Sequence, residues 1–297
     1  MTRNYSSMRW LLFLSALLLS SIAAADDAIN IKVIAVSDGI YMLMGKGGNI
    51  GLSTGRSGVL LIDDQYAPAT KKILQAIAEK TSDPVRFVIN THWHGDHTGG
   101  NENLGKAGAV IVAHENVRES MSKDQFIKIF NKHVSAAPEV ALPVITFVDG
   151  ITFHWNDDTI QVMHVAPAHT NGDSVIHFHQ ANVIHAGDTF FNKLYPYIDV
   201  SNGGSIDGMI LATDKLLGLA NEKTKIIPGH GPLADKQDLQ VYREMLVTMR
   251  NSIRDLKHSG KSRDDVIASK PTAGYDPAWG KGFLKPDVWV GIVYDSL

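Results

Sequence analysis

Residues 90–101 read NTHWHGDHTGGN, placing His92, His94, Asp96 and His97 within six positions directly after the apolar run VRFVI. An apolar run that short, ended by a polar cluster, reads as a buried strand delivering the cluster into a loop at its end. Alternate residues at a strand end point the same way, so His92 and His94 form one donor pair, while Asp96 and His97 can turn toward a second point nearby. Imidazole nitrogen and carboxylate oxygen are metal donors that need no thiol. The chain has no cysteine, so any metal it binds must be held by such donors, and no disulfide holds the fold.

Further candidates stand after other apolar stretches, beside Gly or Pro: His169 in PAHTNGDS, Asp188 in HAGDTFF and His230 in IIPGHG. The remaining histidines read as bystanders. His177 and His179 in HFH have metal-like spacing but sit within a strand with no adjacent acid; His154, His164 and His185 read as satisfied strand residues, and His114, His133 and His258 as surface or helix residues.

The 297 residues are 44% hydrophobic and 20% charged, a composition that supports a globular core. The N-terminus carries Arg3 and Arg9, then WLLFLSALLLSSI, then AAA before DD. That is the layout of a secretory signal peptide over residues 1–25, with residues 26–297 expected to form one domain in the periplasm or outside the cell, without stable membrane association. Cleavage after Ala25 would leave 26 basic against 31 acidic residues, a net charge of −5, which disfavours nucleic acid and leaves a small-molecule substrate as the expected partner.

Along residues 31–62, IKVIAV, IYMLM, NIGLST and GVLLID read as consecutive antiparallel strands. PATKKILQAIAEKT has helical spacing, VRFVIN is a strand, and AVIVAHENVRESM is a strand and helix followed by polar, helical sequence to about residue 137. Strands return in VITFV, ITFHW, TIQVMHVA, DSVIHFH and NVIHAGD. TFFNKLYPYIDVSNGGS is a long irregular segment, a candidate substrate wall. Helices near 206–219 and 235–257 enclose a last strand, TKIIPGHG.

HxHxDH, a lone His, GDT and then PGHG, in that order, resemble the motif series of the metallo-β-lactamase superfamily. The resemblance implies an α/β fold, the αββα four-layer sandwich with two mixed β-sheets flanked by helices. It implies a first metal held by His92, His94 and His169, a second by Asp96, His97 and His230, and Asp188 bridging them. Asp63, ending GVLLID, matches an early aspartate that orients the metal loop, with Asp64 a rival. Two zinc ions are expected, although these donors also accept iron or manganese. Seven ligands over two ions leave room for water, which favours catalysis over a purely structural site.

Paired divalent ions lower the pKa of a bridging water toward ~7, giving a hydroxide that Asp96 can orient toward a carbonyl. The all-His/Asp set is similar to that of glyoxalase II and the acyl-homoserine lactonases, whereas the NGGS loop looks closer to lactamase-like members. Trp93, Lys193 and Asn202 are candidate substrate contacts. β-Lactams are thus the first expected substrates, with lactones or thioesters as alternatives. A mononuclear iron oxygenase and a non-catalytic zinc-binding protein are the readings from other classes; the retained His97 and His230 speak against the first, and the absence of any lost ligand against the second.

Overall fold

The computed structural model describes residues 29–165 and 167–297. The signal peptide expected over residues 1–25 lies outside the described residues. In chain order, β1 (Lys32–Ser37), β2 (Ile40–Met44), β3 (Ile50–Ser53) and β4 (Val59–Ile62) form the antiparallel meander expected from the alternating pattern. Helix α1 (Thr70–Ala78) crosses to β5 (Val85–Ile89), which is parallel to β4. The short helices α2 (Gly95–Thr98) and α3 (Asn101–Lys106) precede β6 (Val110–His114) and α4 (Glu115–Met121). A hairpin of β7 (Gln125–Ile127) and β8 (Lys132–Val134) follows, then β9 (Ile145–Phe147), which closes a seven-stranded sheet in the order β1-β2-β3-β4-β5-β6-β9.

The second sheet contains β10 (Gly150–Trp155), β11 (Asp158–His164), β12 (Ser174–Phe178) and β13 (Val183–Phe191). After α5 (Ile206–Leu219), β14 (Lys225–His230) joins it parallel to β13. The chain ends in α6 (Lys236–His258), α7 (Arg263–Ala268), α8 (Asp276–Trp279) and α9 (Pro286–Ser296). Helix α6 starts in a reciprocal cap, the side chains of Asp235 and Asp238 each accepting the other's backbone N–H.

Three apolar layers stack these parts. One face of the first sheet packs on α1 and α3 through Leu52, Leu61, Ile73, Ile77 and Leu104. Its other face meets the second sheet through Met42, Leu60, Ile89, Val162, Ile176 and Val183. Beyond that, Ile184, Phe190 and Ile226 pack against α5, α6 and α9 through Leu216, Leu246 and Trp289. Helix, sheet, sheet, helix is the αββα sandwich, and it places the C-terminal ends of β5 and β14 along one edge, where the histidines lie.

Three expectations are corrected. Residues 125–134 form the β7–β8 hairpin rather than helix, because Asn131 takes a left-handed backbone (φ 46°) that turns the chain between QFI and KHV. His114 is a buried strand end at 3% exposure rather than a surface or helix residue: its Nδ1 accepts the Asn116 N–H at the start of α4, and its ring stacks on His164 at 3.9 Å. The segment after Asp188 begins as strand, since β13 runs to Phe191, and only then turns irregular; Phe190, Phe191, Tyr195 and Ile198 are buried, Tyr195 stacks on Trp289 at 4.3 Å, and Tyr197 lines the cleft.

Candidate metal centre

Strand β5 ends at Ile89, and the next residues are fixed by hydrogen bonds from several directions. Asn90 and Asn101 exchange side-chain amide bonds of 3.1 and 2.9 Å, tying the strand end to α3. Asp63 accepts the Thr91 N–H through Oδ1 and the Thr91 hydroxyl through Oδ2, both at 2.7 Å, and Oδ2 also meets His97 Nδ1 at 2.7 Å. Because the Thr91 hydroxyl donates to Asp63, its oxygen is free to accept from His92 Nδ1 at 3.0 Å. The His94 carbonyl then accepts the His97 and Thr98 N–H groups at the start of α2, which puts Asp96 and His97 on a short helix rather than in an open loop.

The seven side chains singled out from the sequence meet at this edge. His92, His94 and His169 offer ring nitrogens close enough to share one ion, and so do two further sets, His92 with His97 and Asp188, and Asp96 with His97 and His230. His94 Nδ1 faces His169 Nε2 at 2.8 Å. Asp188 lies between the groups: Oδ1 is 3.1 Å from His97 Nε2, and Oδ2 is 3.4 Å from His230 Nε2 and 3.5 Å from His169 Nε2. Asp188 occupies the interior of β13, at an irregular stretch of its pairing with β14, whereas His230 ends β14.

Outward nitrogens are anchored and inward ones are left for a ligand. His97 is held by Asp63, His169 Nδ1 donates to the Tyr197 carbonyl at 2.7 Å, and His94 Nε2 meets Asp199 Oδ2 at 3.0 Å. Such anchoring sets the tautomer and aims the free lone pair. His92 Nε2 is buried with no hydrogen-bond partner, a costly arrangement unless a cation takes its lone pair. Backbone crowding adds to the fit: a Cβ on Gly48 would fall on the His97 ring, and one on Gly229 on Asp188 Oδ1.

Burial and charge divide the site. Burial depresses His92 well below the ordinary imidazole value, reinforced by His97, and holds His169 at about 4. Burial also works against protonation of His97 and His230, but the carboxylates outweigh it: Asp188, Asp96 and Asp63 raise His97 well above its ordinary value, and Asp188 and Asp96 raise His230 to about 9. Asp188, despite burial, is held well below the carboxylate range by His97, His230, His92 and His169. The deprotonated imidazoles of His92 and His169 and the ionised carboxylates of Asp188 and Asp96 are donors that could hold a cation, which on binding would displace the protons of His97 and His230.

A cleft of about 490 Å³ opens over the cluster, lined by Lys46, Tyr66, Asp96, Ile127, Phe130, Lys132, Tyr197 and Phe283 among others. The three residues that the sequence offered as substrate contacts are absent from that lining. Trp93 is 3% exposed and packs in the core, Lys193 is solvent-exposed at φ 62°, and Asn202 donates to Asp199 Oδ2 at 2.7 Å. The Asp64 carboxylate accepts the Gly100 N–H at 2.8 Å and only its backbone N–H reaches a histidine, the His97 carbonyl at 3.0 Å, leaving Asp63 as the carboxylate that meets an imidazole. Asp199, Tyr66 and the hairpin residues were not anticipated. Asp199 follows an aromatic run with no motif around it, and Asn131 was the one turn signal that would have revealed the hairpin.

The sequence model of the metallo-beta-lactamase superfamily matches residues 44–230, a span that includes every residue of the cluster. A beta-lactamase-like protein 2 homolog of Caenorhabditis elegans is 25% identical over 220 residues, covering 71% of this chain and 64% of that protein. A hydroxyacylglutathione hydrolase of Pelagibacter ubique is 26% identical over 197 residues, covering 64% and 65%. The chain thus covers less than two thirds of the length of these curated relatives. Among solved structures, a metallo-beta-lactamase from Pontibacter korlensis is similar with a TM-score of 0.58 at 20% identity, covering 73% of this chain and 99% of that one. With the four-layer fold, the converging His/Asp cluster and the matched sequence span together, the chain belongs to the metallo-beta-lactamase superfamily.

Proposed function

We propose that the chain is an exported, dinuclear zinc hydrolase acting at the carbonyl of an activated ester, thioester or cyclic amide. The observation that carries this reading is the set of three donor groups linked through His92 and His97, with the buried lone pair of His92 Nε2 left unpaired. His92, His94 and His169 would hold one ion, Asp96, His97 and His230 the other, and Asp188 would reach both. Bound there, divalent cations supply a water ionised near neutral pH and polarise a carbonyl oxygen.

The chain's own residues do the rest. Asp96 lines the cleft with Oδ2 3.4 Å from His230 Nε2, and it stays ionised because His97 and His230 outweigh its burial. It is therefore placed to orient an attacking water. Tyr66 also lines the cleft; burial and the neighbouring Asp96 carboxylate raise its pKa, so the phenol keeps its proton and can donate to a carbonyl oxygen or leaving group. Asp199 and Asp63 keep His94 and His97 in one orientation throughout.

Esters and thioesters rank ahead of β-lactams among substrates. Asn202 of the NGGS loop, which pointed to lactamase-like members, and the candidate contact Lys193 do not line the cleft, and a relative bears the name hydroxyacylglutathione hydrolase. Purified protein should contain close to two zinc per chain and hydrolyse at least one member of a panel of chromogenic thioesters, lactones and cephalosporins, with activity lost to chelator and restored by zinc. Full metal content without turnover on any of them refutes the proposal.

A further inference from the structure

The cleft's outer wall has a chemistry of its own. Phe130 and Phe283 remain 47% and 54% exposed, unusual for rings that lie together. Phe130 is 5.2 Å from the Tyr197 ring and 6.3 Å from Phe283, which in turn lies 6.3 Å from His230. An apolar tier, completed by Ile127, therefore begins against the cluster's imidazoles and continues outward. Exposed apolar surface lining a concavity is where a ligand's apolar part is buried.

Two lysines line the same cleft from separate segments, Lys46 between β2 and β3 and Lys132 at the start of β8. Elsewhere the chain pairs many lysines, as in Lys106 with Glu102, Lys123 with Glu119 and Lys236 with Glu222. Among the described residues neither the Lys46 nor the Lys132 ammonium has a carboxylate within ion-pairing distance or a side-chain hydrogen bond. The cleft's own carboxylates, Asp96 and Asp188, are turned to the histidines and cannot serve them. An unpaired cation beside a concave apolar surface attracts and orients an anionic ligand.

We propose that the cleft selects anionic amphiphiles: acyl substrates whose apolar or aryl part lies on Phe130, Phe283, Tyr197 and Ile127 while a separate anionic group reaches Lys46 and Lys132. This substrate class rests on the hydrolase reading above, but the selection is made in binding and is testable without turnover. The hairpin is then a specificity element, since β7, the turn and β8 contribute Ile127, Phe130 and Lys132 in one stretch.

The test is calorimetric binding to the metal-replete protein of two probes that cannot be hydrolysed, 4-phenylbutanesulfonate, whose sulfonate is a poor metal ligand, and the neutral 4-phenylbutanol. Wild type should prefer the sulfonate, with an affinity that falls as salt rises. The K46M/K132M double variant should lose about tenfold for the sulfonate, a few-fold per exposed lysine, and less than about twofold for the alcohol. F130A should weaken both probes. Equal affinity of wild type and the double variant for the sulfonate overturns the proposal, because the anion would then be held without these lysines; so does a loss seen in K193M instead. Failure of the hydrolase reading would appear only in the turnover panel and would leave these affinities unchanged.

Discussion

Replacing Asp63 by Asn tests how the fold aims its histidines. Asp63 is fully buried, accepts three contacts of 2.7 Å, from Thr91 N, Thr91 Oγ1 and His97 Nδ1, and has a left-handed backbone at φ 62°. Asn keeps the size and tolerates that backbone, so the change isolates the carboxylate. An amide has one acceptor oxygen. If that oxygen keeps the Thr91 N–H, the new NH₂ takes the place of Oδ2, faces Thr91 Oγ1 and His97 Nδ1, and forces the ring's proton onto Nε2, removing the lone pair aimed at Asp188 and His230. Exchanging charge-assisted bonds for neutral ones costs about 2 kcal/mol, or roughly 4–8 °C in melting temperature for a domain of this size. Loss of an orienting partner typically costs about 10–100-fold in metal affinity. Metal content after dialysis against a competing chelator, read by mass spectrometry, should fall toward one ion per chain, with the ion at His92, His94 and His169 retained. A variant that keeps two ions with affinities within about twofold of wild type refutes the reasoning.

Asp199→Asn should weaken the other ion by a similar factor, about 10-fold or more, because His94 loses its carboxylate anchor; the same chelator competition reads it, and unchanged affinity would show that Tyr197 and Trp93 packing alone orients the ring. Gly48→Ala should abolish binding at the Asp96, His97 and His230 group while leaving a folded chain by circular dichroism, since its methyl meets the His97 ring. For pH, burial and the stacked His164 hold His114 at about 4, below its unfolded value of about 6.5. Between those values the unfolded chain binds more protons, so stability is full above about pH 6.5 and falls as pH drops toward 4. His114→Asn, which can still cap α4, should flatten that slope in urea titrations of chelator-treated protein; an unaltered slope would assign the acid loss elsewhere.

Much of this architecture was legible in local patterns. The meander to Ile62, the helix over Ile206–Leu219 and the strand ending at His230 follow from period-2 and period-3.6 spacing, which depends only on neighbours in the chain. The donors were legible for a related reason: His92, His94, Asp96 and His97 are adjacent, and His169, Asp188 and His230 each stand beside a Gly or Pro that marks a turn or a close approach. The hairpin was missed because KDQFIKIFNKHV is polar enough to pass as a helix, and its strand pairing rests on a single left-handed Asn131.

The candidate metal donors can be read from the chain alone: histidines and carboxylates in a cysteine-free sequence, ordered as the superfamily orders them. How they are aimed, and what stands around them, follows from contacts distant in the chain. Asp63 reaches His97 across 34 residues and Asp199 reaches His94 across 105, separations no local pattern encodes. The cleft wall is likewise assembled from Lys46, Phe130, Lys132, Tyr197 and Phe283, residues with no common motif. Long-range packing of the two sheets brings them together, and that packing, set by apolar surface rather than by any one residue, is what turns a list of ligands into a site.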